Sequence, residues 1–253
     1  MEGPTFWELA RQALSSTRRG YDLLAPKFEF TEYATPIEHI EAALSRAETV
    51  LPTGTTAVGA DIACGTGRGA RVLRNYCSQV IGYDFSASML EQASRLASPT
   101  KGFEWCRQDL ATLELPPKSF DRIVTFGAWG HILPSMRPRL LGQILAALRP
   151  GGAFVTIAAD DPSVFSKRFW YILFFDLAII MRNLLWWDEF HMYYSLNSTE
   201  KLLQLLRTAP QSFELHVEKF TDQEDSPLTL VILSRKRIDP ESRDGTPDQT
   251  TLE

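Results

Sequence analysis

From Ala57 to Ala159 the sequence alternates short runs rich in β-branched and aromatic residues with runs of helical periodicity, and this alternation constrains the fold more than any other feature. AVGADIA, SQVIGYD, FEWCRQD, FDRIVTF and GAFVTIAA read as strands, with helices from about Arg68, from Ser86 and over Pro138 to Leu148 between them. Strand, helix, strand repetition requires parallel strands joined by right-handed crossovers, hence a doubly wound α/β sheet whose ligands sit beyond the carboxyl ends of the strands. FELHVEKF and LTLVILSRK are separated by only a turn-like TDQEDSP. That is too short for a crossover, so an antiparallel C-terminal hairpin is expected at one edge of the sheet.

The flanks read differently. Phe6, Leu9, Ala13 and Leu14 share a helical face, and Thr35-Pro36-Ile37-Glu38 has the pattern of a capping box with proline at the first helical position, so residues 1–50 form a helical cap. Asn197-Ser198-Thr199-Glu200 starts a helix through KLLQLLRTA. Residues 163–195 interrupt the alternation as an inserted lid, and residues 236–253, mixed in charge and poor in apolar side chains, read as a disordered tail. The expectation is a single domain over residues 1–235. Within the insertion, Phe169 to Trp187 is nearly long enough to cross a bilayer, which takes about 20 apolar residues. Asp176, Arg182 and Asn183 interrupt it, which predicts a buried or surface-docked helix pair and leaves peripheral membrane contact open.

A net charge of -5 gives no electrostatic footprint for nucleic acid, which would require clustered Lys and Arg. Three cysteines without a CxxC pair exclude a disulfide framework and a thiolate zinc site, which fits a cytoplasmic protein. The N-terminus has no basic-then-apolar signal pattern.

Asp61-Ile62-Ala63-Cys64-Gly65-Thr66-Gly67-Arg68-Gly69 is a tight turn between the first strand and its helix, where glycines bring a ligand close to bare backbone amides. Gly65-x-Gly67-x-x-Ala70 also satisfies the dinucleotide fingerprint, and Asp84 could hold a ribose in either case. At this point a nicotinamide-dependent oxidoreductase stays open. The acids Asp61, Asp84 and Asp109 at the ends of three successive strands, followed by FDRIVTF and LRPGGAF, resemble the class I S-adenosylmethionine-dependent methyltransferases, whose sheet is Rossmann-like. The resemblance runs over about residues 21–236 and is strongest from Ala57 to Ile157.

Carried onto this sequence, the resemblance implies S-adenosylmethionine as cofactor, with Gly65 and Gly67 beside its methionine part and Asp61 holding the turn or reaching the amino group. It places Asp84 on the ribose hydroxyls, Phe85 and Met89 against adenine and ribose, Asp109 on the exocyclic amine and the Leu110 amide on the ring nitrogen. Phe126 and Gly127 would meet the sulfonium, and Tyr21, in YDLLAPKF, belongs to a segment that closes over the cofactor.

Methyl transfer from a sulfonium needs alignment and exclusion of water, with a base only where the acceptor must lose a proton. His131, in GAWGHIL, and His191, in DEFHMYY, are the candidate bases; Gly130 replaces a histidine common in relatives, and His39 and His216 read as structural. No metal is expected. Phe165 to Tyr194 holds eleven of the 28 aromatic residues. Such an aromatic lid favours a small hydrophobic acceptor, with Trp129, Trp186, Trp187, Tyr193 and Tyr194 as candidate contacts, or else forms core or a homodimer contact. A catalytically silent module binding a partner through the lid is the alternative outside the enzyme class.

Overall fold

The computed structural model describes residues 3–31, 34–129, 132–159, 165–185, 198–221 and 227–237. Helices Phe6–Ala13 (α1) and Thr17–Leu24 (α2), a 3-10 turn over Ala25–Phe30 and helix Ile37–Val50 (α3) precede the sheet. Then follow Val58–Ile62 (β1), Arg68–Leu73 (α4), Gln79–Asp84 (β2), Ala87–Ala97 (α5), Phe103–Arg107 (β3), Phe120–Thr125 (β4), Arg137–Ala147 (α6) and Leu148–Ala159 (β5). Lys167–Leu185 (α7), Ser198–Leu206 (α8), Phe213–Thr221 (β6) and Pro227–Arg235 (β7) complete the described elements.

The seven strands lie in the order β3-β2-β1-β4-β5-β7-β6, with the first five parallel and β7 antiparallel to both β5 and β6. The doubly wound sheet and its C-terminal hairpin therefore form as the alternation requires. Strand order reverses between β1 and β4, and the crevice above that point is where such sheets bind ligands.

Period-two alternation sends each strand's side chains to two separate cores. Ala60, Ile62, Phe120, Ile123, Phe154, Val231 and Leu233 pack under α6 and α8. Val124, Ala153, Val155, Leu230 and Ile232 pack under α3 and α4, where Ile40, Ala43, Leu44 and Ala47 recur at the spacing of one helical face. One cation lies within this second layer. Arg122, 2% exposed, donates through Nη2 to the Leu51 carbonyl at the end of α3 at 2.6 Å and to Glu48 of α3 at 3.3 Å, while its Nη1 has no partner, so α3 and its C-cap meet only part of what its burial requires.

Several local expectations are corrected. Thr35 does not cap α3: Pro36 occupies the N-cap without a side-chain hydrogen bond, and the Thr35 hydroxyl instead lies 2.6 Å from where a Cβ on Gly127 would be. Leu14 falls beyond the end of α1 and is exposed. Arg149-Pro150-Gly151-Gly152 is already part of β5, entering through a register shift against Phe120 and Arg122. Asn197 and the expected tail beyond Arg237 lie outside the described residues.

The described part of the insertion is one helix, α7, rather than a pair, and no described helix is long and apolar enough to cross a membrane. Much of its apolar surface is exposed, Ile179 being its buried apolar residue among those described. Trp170, Phe174, Leu177, Met181, Leu184 and Leu185 are exposed, whereas Asp176, Arg182 and Asn183 are half-buried and Arg182 donates to the Ser15 carbonyl at 2.9 Å.

Phe120 is fully buried where β4 begins and meets Tyr83 edge-on at 6.5 Å. Phe120→Ala is expected to lower the free energy of unfolding by about 3–5 kcal/mol, read from urea denaturation.

Candidate active site

Between β1 and α4 the backbone turns through three left-handed residues, Ala63 at φ 56°, Gly65 at 53° and Gly67 at 77°. A Cβ at Gly67 would lie 2.7 Å from the Trp105 ring, so both the dihedral and the space exclude a side chain. Trp105 comes from β3, two strands away from β1, and stacks flat on Phe103 with centroids 5.5 Å apart. The turn is closed by Gly67 N–H donating to the Cys64 carbonyl at 2.8 Å and tied to β2 by Cys64 N–H donating to the Tyr83 carbonyl at 3.0 Å.

Above it opens a cavity of about 430 Å3 at the carboxyl ends of β1, β2 and β4. Ten residues expected at a cofactor site line it: Tyr21, Asp61, Gly65, Asp84, Phe85, Met89, Asp109, Leu110, Phe126 and Gly127. Gly67 is the exception, shaping the turn from behind. Tyr21 reaches the site from α2 and meets Phe85 edge-on at 5.7 Å. Trp129 does not line the cavity; it is 5% exposed within the α6 core and packs against Phe154, so its expected acceptor contact is corrected. His131, His191, Trp186, Trp187, Tyr193 and Tyr194 lie outside the described residues.

The three acids differ in environment. Asp84, 6% exposed, accepts from the Gly65 amide at 2.9 Å through Oδ2 and from the Ser86 amide at 2.9 Å through Oδ1. These bonds fix the carboxylate in its turn and leave further lone pairs for a diol. Burial pushes its pKa up to about 6 against the pull of those amides. Asp61 is 2% exposed, and its Oδ2 has no hydrogen-bond partner. Burial drives that carboxyl up to about 8, the Ala70 amide pulling the other way and the neighbouring Asp84 adding to the rise. Asp109 is nearly half exposed, accepting from the Ala111 amide at 3.0 Å and pairing with Arg18 at 3.4 Å. An orphaned buried carboxylate facing a cavity is suited to a cationic ligand group, because such a group would supply the missing partner.

Phe28, the last residue of YDLLAPKF, lines the cavity as that segment implies; reading the sequence missed Thr35, Ile40 and Arg68 beside it and the apolar Ile132, Leu133 and Met136. A detectable signal was the pair Arg68 and Arg71, one helical turn apart beside the glycines.

Residues 60–152 match the family described as a methyltransferase domain. Over 129 residues, 45% of this chain and 47% of the relative, the sequence is 36% identical to a demethylmenaquinone methyltransferase from Symbiobacterium thermophilum. Over 124 residues, 47% of this chain and 37% of the relative, it is 30% identical to a 2-methyl-6-phytyl-1,4-hydroquinone methyltransferase from Synechocystis. The chain thus spans about half the length or less of these two relatives. A solved S-adenosylmethionine-dependent methyltransferase from Mesorhizobium loti superposes with a TM-score of 0.52 at 24% identity, over 77% of this chain and 98% of that one. The fold is that of the class I S-adenosylmethionine-dependent methyltransferases, and the segment bearing the glycine turn and its acids is the part that matches the methyltransferase-domain family.

Two outcomes follow from this geometry. Gly67→Ala should lose ligand binding together with thermal stability, because the new Cβ must displace Trp105. The Asp61 carboxyl is raised from an ordinary 3.8 to about 8, so its proton favours the folded form; that contribution is complete below pH 4 and is lost as pH rises towards 8. The melting temperature of the ligand-free protein should accordingly fall across this range, and Asp61→Asn should flatten the decline.

Proposed function

We propose that this chain is an S-adenosylmethionine-dependent methyltransferase acting on a small hydrophobic acceptor of the phenol or quinol type. The observation that carries the reading is the unpartnered, buried Asp61 carboxylate beside Gly65 and Asp84 at the strand ends. Together they offer a carboxyl that an arriving ammonium can ionise and pair with, a backbone free of side chain and a two-oxygen acceptor matched to a ribose diol.

When bound, S-adenosylmethionine supplies a methyl group already activated on a sulfonium. The protein's part is to hold the acceptor in line and dry, which can contribute about 7–11 kcal/mol towards the barrier. Phe85, Met89 and Leu110 provide apolar contacts for a planar base, with Asp109 at its edge. Phe126, Ile132, Leu133 and Met136 provide an apolar wall on which an aromatic acceptor can rest while water is excluded. The quinone-related acceptors in the two relatives' names support this acceptor class. His131 and His191 remain the proposed bases for an acceptor that must lose a proton. The exposed apolar side of α7 supports contact through the lid with a lipid surface or a second copy.

The test is calorimetric titration with S-adenosylmethionine, S-adenosylhomocysteine and NADH. Binding of the two sulfur compounds without NADH is expected, and the reverse pattern would select the oxidoreductase. Asp84→Ala, which removes both acceptors for the ribose diol, should weaken S-adenosylhomocysteine binding by at least about 10- to 100-fold, the range for losing a single hydrogen bond to a charged acceptor. Unchanged affinity would remove the ribose assignment.

A further inference from the structure

The glycine turn is bound to the N-terminal cap by a cluster of charges. Glu29, in the 3-10 turn Ala25–Phe30, accepts from Arg68 Nε at 3.1 Å and Nη2 at 2.8 Å, from Arg71 Nη2 at 3.2 Å and from the Thr66 hydroxyl. Arg68 also donates Nη2 to the Glu29 carbonyl at 2.9 Å and Nη1 to the Thr35 carbonyl at 2.8 Å. One guanidinium, on the first residue of α4, thus holds the chain at both residue 29 and residue 35. The Arg68 and Glu29 side chains are about four-fifths buried, at 19% and 21% exposure. Both Arg68 donors fall on Glu29 Oε2, and charge-assisted bonds that are mostly buried in this way are stronger and less screened than surface pairs.

Phe28, Ala34 and Thr35, which this cluster holds, form one wall of the cavity, facing Gly65 and Asp84. A second tie acts further along, where Asp22 of α2 accepts from the Ser86 hydroxyl at 2.5 Å, at the N-cap of α5. Arg68 itself lines the cavity, so the residue that fastens the wall also borders the ligand space. Lifting this wall would break the Arg68 bonds to Glu29 and Thr35 together with those of Arg71 and Thr66 to Glu29.

We propose that Glu29, Arg68 and Arg71 form a latch that sets how long the cofactor stays in the cavity. The proposal rests on the methyltransferase reading. Glu29 and Arg71 are positioning residues, acting through the 3-10 turn rather than on a methyl acceptor. The exposed Lys27–Glu8 pair on the same turn, at 2.8 Å and 37% and 48% exposure, provides the comparison, since it ties the turn to α1 and not to the glycine loop.

The test measures S-adenosylhomocysteine dissociation by stopped-flow displacement, with thermal midpoints recorded alongside. Glu29→Gln and Arg68→Gln should each speed dissociation by about tenfold or more, as loss of a charged hydrogen bond implies, with association changed far less. Glu8→Gln should leave the dissociation rate within about twofold, as for other exposed pairs. Should the two latch variants fail to fold, Thr66→Val removes a single donor and should still speed dissociation by about threefold. In ligand-free protein, hydrogen exchange over residues 25–31 should be faster in Glu29→Gln. Unchanged dissociation in a folded latch variant, or equal acceleration by Glu8→Gln, would overturn the latch. Failure of the unaltered protein to bind S-adenosylhomocysteine would instead sink the methyltransferase reading, and unchanged exchange over 25–31 would then overturn the latch on its own.

Discussion

The site depends on one packing constraint, the occupation by a single indole of the space that two side chains would need. The Trp105 ring lies 2.7 Å from a Cβ built at Gly67 and 2.5 Å from one built at Gly82. Bare backbone at both positions lets β2 and the turn after β1 close on the same ring. The Gly65 amide then faces Asp84, and a Cβ at Gly69 would lie 2.7 Å from the orphaned Asp61 oxygen. The glycines are therefore more than flexible links. Each admits a particular neighbour, and the cavity takes its shape from those approaches.

Electrostatics at the site work against the stability of the empty protein. Two carboxyl groups, at Asp61 and Asp84, are buried at the site; burial raises the cost of ionising both, Asp84 adds to it at Asp61, and Asp22 adds to it at Asp84. Asp84 recovers part of that cost from the Gly65 and Ser86 amides, whereas the Oδ2 atom of Asp61 has no partner. Glu29 shows the opposite balance. Burial disfavours its charge, but the Thr66 hydroxyl and the two arginines outweigh burial and hold it below the usual carboxylate range. The cap is thus fastened by satisfied charges, while the cavity floor retains a carboxyl that burial keeps protonated and whose Oδ2 has no partner. Strain concentrated at a ligand site and absorbed by the surrounding framework is the pattern expected where binding supplies the missing interactions.

The same division bears on the acceptor side. The fold fixes where a cofactor can lie but not what is modified, because one sheet can carry many different acceptor sites. Ile132, Leu133 and Met136 make one wall of the cavity apolar, and α7, whose residues do not line the cavity, exposes Trp170, Phe174 and Leu177. Arg182 and Asn183 looked like interruptions of an apolar run; Arg182 instead fastens α7 to the chain between α1 and α2. The residues immediately after that contact, Ser16, Thr17 and Arg18, line the cavity.

Alternation of strand and helix runs determined the parallel sheet, and the short gap before the last strand determined the hairpin, because these follow from local periodicity and chain length. The position of Asp61, Asp84 and Asp109 at strand ends was legible for the same reason, since residues at the ends of adjacent parallel strands share one edge of the sheet. Tertiary structure alone decided the rest. Trp129 sits two residues from the cavity-lining Gly127 yet packs in the core, a difference of backbone direction that no spacing encodes. Thr35 had the pattern of a cap but lies against Gly127, because Pro36 takes the N-cap position. Glu29 and Arg68, 39 residues apart, meet only when the cap folds over the turn. Pairings between distant segments depend on how elements dock, and docking is set by packing shapes that one-dimensional patterns do not carry.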